Sequence, residues 1–360
     1  GTASVPDICT VSKKFKFPQV FRTDLALEQK LPGDINMTLE GLYSKTLDNV
    51  YFKNLALTQN GETYAVSGVE ASAAPFYTVD TKYNSIIDLE NTNKGYTYSL
   101  SAMLQKTFDF GLNTMLSYTF GHSKSVFDGT SSVAYSNWQY NYTLASNDPA
   151  LSYSTFDIPN RIVASIGYTT PKYLGGLLST DVSLNYTGSN GMRYSLSMSE
   201  GSYKKGQDFN GDGSTYGNTV LYIPTKDELS KMNISSADAA SFESWIEGNN
   251  YAKKHRGEFS TRNCCQAPWE NHFDLHLAEN INILKENGAK LQVTFDVINV
   301  ANMLNKRWGV NYASTYNVMP LQVTGITNGV ASFAYSGNNT VSKSDVDSRW
   351  HAQIGLKLIF

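Results

Sequence analysis

The chain has little that would mark it as a nucleic-acid binder, a disulfide scaffold or a helical membrane protein. Its 29 Lys and Arg are outweighed by 32 Asp and Glu, for a net charge of −3, so the basic excess that nucleic acid demands is missing. It has 3 cysteines in 360 residues. Cys9 stands alone, Cys264 and Cys265 are adjacent, and neighbours rarely bridge. No zinc spacing is present, and incidental thiols are the plain reading. No apolar run reaches the roughly 18 residues of a membrane helix. Charged residues are sparse, at 17%.

Aromatics are plentiful: 23 Tyr, 17 Phe and 5 Trp. Hydrophobic content is that of a water-soluble protein, yet a transmembrane β-barrel stays open. Its strands alternate and average out in any hydropathy window, and its rims are rich in aromatics.

Alternation is what the chain shows. At its end, Trp350, Ala352, Ile354, Leu356, Leu358 and Phe360 share one face, while His351, Gln353, Gly355 and Lys357 share the other. Ile359 is the exception. A strand has a side-chain period of two, so one face is greasy and the other wet. The same pattern recurs in FRTDLALEQK, INMTLEGLY, GYTYSLSAML, LNTMLSYTF, NRIVASIGY, LLSTDVSLNY and AKLQVTFDVIN. In NHFDLHLAENINI, Glu279 falls on the greasy face, which calls for a bulge or a position at the membrane edge.

The connections are sorted by length. Short turns are expected at 31–34, 108–111, 172–176, 286–288 and 327–329, between long polar stretches at 46–94, 122–159, 200–270, 303–318 and 337–348. Short turns on one side and long loops on the other are the asymmetry of an outer-membrane barrel. Counting back from Phe360 gives roughly eleven strands, whereas complete bacterial barrels have an even number. The expectation is an all-β transmembrane antiparallel barrel, with residues 1–360 as the C-terminal portion of one barrel domain of about 22 strands. Barrels of that size carry a plug, which missing sequence would supply. The opening GTASVPDICTVSKK has no apolar core and is not a secretion leader.

A family resemblance adds to this. FDIPNRIVASIGY (156–168), DFNGDGSTYGNTVLYIP (208–224), HRGEFSTRNCCQAPWENHFDL (255–275) and FDVINVANMLNKRWG (295–309) occur in order. Together the four stretches resemble the C-terminal barrel half of Bacteroidota TonB-dependent receptors, of the Oar-like branch related to SusC/RagA-like receptors. The resemblance implies a Gram-negative outer membrane and active uptake of a peptide, glycan fragment or metal chelate. It also implies a plug in the missing N-terminal half, an inner-membrane TonB complex acting through it, and a surface lipoprotein as a further partner. Phe360 would be the aromatic end read by the barrel-assembly machinery. The alternative is a smaller, self-contained passive pore of about 12 to 14 strands.

Three groups of residues invite a functional reading. Asp208, Asn210, Asp212 and Ser214 reproduce the front half of a calcium loop, but Thr219 stands where the closing acid belongs. A calcium site and a hydrogen-bonded turn both fit. Ser235 begins a capped helix carrying Phe242, Trp245 and Ile246, which either packs against other loops or forms a lid with Trp245 exposed. His255, Arg256, Glu258, Arg262 and Trp269 form either a substrate-facing surface or a loop salt-bridge network. His272, Asp274, His276, Asp296, His351 and Lys357 are expected in the lumen. No nucleophile–base–acid set is spaced for catalysis, so no enzyme and no required cofactor are expected.

Overall fold

The computed structural model describes residues 6–65, 69, 72–80, 82–199, 209–214, 217–283, 288–313, 317–327, 330–337 and 341–359. The fold is all-β. Its largest sheet has twelve strands, nine of which form a meander in chain order. These are β1 (Gln19–Leu31), β2 (Ile35–Asn54), β3 (Gly95–Thr107), β4 (Leu112–Ser125), β5 (Asn160–Thr169), β6 (Leu178–Ser189), β7 (Glu270–Asn282), β8 (Lys290–Ile298) and β9 (His351–Ile359). Each is antiparallel to the next.

The expected parity holds across this wall. Leu25 pairs with Gly41, Gly41 with Leu100, and Leu100 with Phe120. Further along, Ile166 pairs with Leu184, Leu184 with Leu275, Leu275 with Val297, and Val297 with Ala352. One face is therefore apolar from the first wall strand to the last. Leu25, Leu100, Leu116, Ile166, Ile354 and Leu356 all stand at least half exposed on it, covered by nothing among the described residues. A continuous apolar surface of this extent is foreign to a water-soluble monomer. The opposite face carries a polar ladder. Asn280 donates to Asp181 at 2.6 Å, Gln292 donates to Asn280 at 2.9 Å, and His276 bonds Asp296.

Connections alternate strictly. Four short ones (32–34, 108–111, 170–177, 283–289) lie at one end, and four long ones (55–94, 126–159, 190–269, 299–350) at the other. In the first short turn Gly33 and Asp34 adopt φ of 80° and 58°, the left-handed region that glycine and aspartate tolerate best.

Among the described residues the wall has nine strands, where about eleven were expected. The two extra strands, Asn317–Thr327 and Val330–Tyr335, pair with each other but lie in a second, eight-stranded sheet. They alternate because they are half-buried there, so period alone could not separate them from the wall. The residues of their turn, Asn328 and Gly329, lie outside the described residues, as does Phe360.

That second sheet belongs to a cap built by the long connections. Its order is Thr219–Val220, Arg193–Ser199, Asn317–Thr327, Val330–Tyr335, Leu57–Ala65, Ala73–Val79. Short helices α1 (Ala134–Gln139), α2 (Lys226–Lys231), α3 (Ser236–Gly248) and α4 (Val300–Leu304) complete the connections. The cap has its own core of Leu196, Met198, Leu221, Tyr222, Phe242, Ile246, Leu321 and Phe333. A second cluster around Ile87, Phe127 and Trp138 sits where the loops meet β2.

Glu279 needs no bulge. β7 pairs in unbroken register on both sides. Its carboxylate accepts from Thr180 Oγ1 at 2.6 Å and from Tyr173, beside the short turn after β5, at 2.7 Å. Its place beside the short turns fits the second expectation, a position at the membrane edge.

Candidate functional site: a cavity under the loop cap

Three long connections converge on one cavity of about 790 Å³, within the roughly 300–1,000 Å³ usual for ligand sites. Phe127, Asp128, Tyr140, Asn141 and Tyr142 come from the connection after β4. Met192, Arg193, Tyr194, Asn218, Arg262 and Asn263 come from the one after β6, and Met319 from the one after β8.

Its charged residues are internally matched. Arg262 Nη1 lies 3.2 Å from Asp128 Oδ2, with both side chains almost sealed from solvent. Arg262 also donates to Asn141 at 3.3 Å and to the Ser125 carbonyl at 2.6 Å. Asp128 accepts from Ser125 and Thr155. Burial would raise its pKa, but Arg262 and these donors outweigh burial and hold the carboxyl below the usual range. Arg193 Nε donates to the fully buried Asp157 at 2.7 Å. Its guanidinium lies 3.7 Å from the centre of the Tyr153 ring. Asp157 also accepts from the Ser123 backbone at 2.6 Å, which ties the cavity to the top of β4. Buried pairs of this kind hold geometry because losing either partner strands the other's charge.

Of the sequence candidates among the described residues, only Arg262 lines the cavity. Arg256 instead forms a network, with Nη2 at 2.8 Å from both Glu243 and Glu247, and so fastens the connection to α3. His255 bonds Glu258 at 2.7 Å and stacks on Tyr251. Trp245 stacks on Phe242 and packs against the cap core. Ser235 caps α3, as its sequence foretells, by accepting from Asp238 N at 3.1 Å.

Trp269 lies elsewhere again. It packs over Gly188, where an added Cβ would meet its ring at 3.0 Å, and it donates to Asn271 at 3.0 Å. Gly188 shares the apolar face with Tyr186 and Leu184, so Trp269 belongs to the outer rim of the wall. With Tyr186, Tyr118 and Trp350 it forms an aromatic band at the loop end, and Phe110, Tyr168 and Tyr173 stand at the turn end. Such bands mark the two interfaces of a bilayer.

The described part of the calcium-like stretch, 209–214, is tied by hydrogen bonds. Asp212 accepts from Ser214 N at 2.6 Å, from Asn210 Nδ2 at 2.9 Å and from Asn218 Nδ2 at 3.1 Å. Asn210 and Asp212 are buried. Asp208 lies outside the described residues. Among the described residues, no three acidic, histidine or cysteine groups gather as metal ligands. Of the lumen candidates, Asp274 accepts from the Asn299 backbone at 2.8 Å, and His276 pairs with Asp296.

Arg193, Tyr194 and Asn263 were missed by sequence reasoning. Arg193 and Tyr194 open the short cap strand Arg193–Ser199 within a long polar connection, and alternation there marks a strand without marking a cavity. Asn263 alone leaves a trace in the backbone, a left-handed φ of 56°.

No curated protein matches the chain. The family described as outer membrane beta barrel domain matches residues 2–319. The uncovered apolar face, the two aromatic bands and the one-sided loops are what such a protein needs. The chain belongs to this family of outer-membrane β-barrel proteins.

Proposed function

We propose that the chain is the C-terminal part of the barrel of a TonB-dependent outer-membrane transporter, one that takes up a large or scarce ligand such as a peptide, glycan fragment or metal chelate. The observation carrying this reading is the pair of open edges. Among the described residues, β1 pairs only with β2, and β9 only with β8. Unpaired edges are intolerable in hydrocarbon, so further strands must close the wall. Nine strands already exceed a small eight-stranded barrel, and large barrels of 22 strands are plugged transporters.

The cap supports the same reading. A cavity walled by rigid, buried ion pairs at the loop end suits ligand capture better than free diffusion. An inner-membrane TonB complex would act through the plug, and a surface lipoprotein would meet the loops. The barrel-assembly machinery would read the C-terminal strand.

Planar-bilayer conductance of the assembly extracted from outer membranes tests this. A plugged transporter gives no steady current. A stable ohmic current at neutral pH would instead identify a passive pore.

A further inference from the structure

Cys264 and Cys265 are neighbours in space as well as in sequence, with sulfurs 3.8 Å apart. Extended backbone would not place them so, because successive side chains of a strand point to opposite faces. Here the chain bends at Asn263, at φ 56°, and pairing resumes only at Cys265. Cys265 is buried and Cys264 half-buried. Cys9, the remaining thiol, lies in a separate strand, Asp7–Val11, against Ile87.

The pair adjoins the cavity wall, with Cys265 in the cap core and Cys264 packed against it. Cys265 is in register with Tyr194. Tyr194 and Asn263 both line the cavity. The two thiols are unequal. Burial disfavours the Cys264 thiolate, but hydrogen bonds from Cys265 and from the backbone at Leu196 and Thr261 prevail and bring that thiol below its ordinary value. Contact with Cys264, and then burial, push Cys265 far up. Of the two, Cys264 is thus the one that ionises more readily to the thiolate, the attacking form in disulfide exchange. Surface loops of an outer membrane also lie beyond the cytosolic reductants that keep thiols free.

We propose that Cys264 and Cys265 form a reversible vicinal disulfide that resets the wall of the loop-cap cavity. The oxidant is a disulfide, either low-molecular-weight or carried by a thiol–disulfide oxidoreductase. Cys264 thiolate attacks one of its sulfurs and releases the other as thiol. Cys265 then loses its proton, and its sulfur displaces the oxidant from Cys264. The new sulfur–sulfur bond joins the two cysteines. The oxidant leaves carrying two electrons, and both of its sulfurs end as thiols with the two protons. Bond formation draws the sulfurs from 3.8 Å to about 2.05 Å. It also pulls on Asn263 and on the strand that pairs Tyr194 with Cys265. The sulfur chemistry stands on the cysteine pair alone; only its meaning for uptake rests on the transporter reading above.

The test uses the full protein extracted from outer membranes, equilibrated with either dithiothreitol or oxidised glutathione. It is then denatured, alkylated with N-ethylmaleimide and cut with trypsin. Cleavage after Arg262 leaves both cysteines on one peptide, residues 263–285. The reduced sample is expected to carry two adducts on it. The oxidised sample is expected to carry none, with no second peptide attached and a mass lower by two hydrogens. Cys264→Ser should abolish that species. Two adducts after oxidation, a stable glutathione adduct, or a bridge to the Cys9 peptide would each overturn the proposal. Hydrogen exchange over residues 192–196 reads the effect on the cavity. Protection should differ between the two states in the wild type and not in Cys264→Ser. Equal protection in both wild-type states would overturn the claim that the bond resets the wall.

Discussion

Arg262 and Asp128 meet across two long connections, Nη1 to Oδ2 at 3.2 Å, with 5% and 8% of their side chains exposed. This pair closes one side of the cavity. Replacing Arg262 with Ala would leave Asp128 buried and uncompensated. The expected cost to the cap is about 3–5 kcal/mol, read as lost hydrogen-exchange protection over 258–266 while the wall strands stay protected. Replacing both partners with apolar residues, Arg262→Met with Asp128→Leu, should return most of that loss. A single mutant as protected as wild type would show that the pair holds nothing.

The same carboxylate sets an acid limit. Its folded pKa lies below the ordinary value. Its contribution is therefore complete above the unfolded value of about 3.9, and it fades as pH falls through the lowered folded value. Protection of the cap should stay level from neutrality to about pH 4 and decline below. In Asp128→Asn this decline should be smaller. An equal decline in both proteins would assign it to other groups.

Lipid contact can be checked at adjacent positions on one strand. Leu184 lies on the apolar face of β6, and Ser183 lies on the polar one. Leu184→Arg should destabilise the protein in bilayers by about 2–4 kcal/mol, whereas Ser183→Arg should cost far less. Urea unfolding in lipid vesicles measures both. Equal costs would mean that the two faces are not divided between lipid and lumen.

Asp212 separates an ion site from a turn. Its oxygens accept from Ser214, Asn210 and Asn218, so Asp212→Ala strands buried donors. The expected loss of cap stability is about 1–3 kcal/mol, the same with and without EDTA. Should EDTA alone reproduce that loss in the wild type, the stretch is a calcium loop that includes Asp208.

The wall was legible in the sequence because lipid and lumen impose a strict period of two on each crossing. Leu25, Leu100, Leu184 and Ile354 could be placed before any coordinates. The cap was not. Its core gathers Leu196, Phe242 and Leu321 from three segments distant in sequence, and no local pattern says that they meet. The hairpin at 317–335 mimicked the wall because half-burial alternates wherever it occurs. Cavity residues such as Arg193 and Tyr194 carry at most the alternation of a short strand, so only the juxtaposition of three connections defines them as a site. Trp269 looked like a ligand contact by its neighbours in sequence. Its packing over Gly188, on the apolar face of the strand beside it, places it at the membrane rim.

The central claim is that β1 and β9 are internal edges of a larger wall and not the ends of a complete one. The most direct measurement is the intact mass of the assembly extracted from outer membranes, followed by the mass of each denatured chain. The account predicts additional polypeptide, in a longer chain or in a second one, large enough to supply the remaining strands and a plug. A folded, membrane-inserted species with the mass of this chain alone would contradict it.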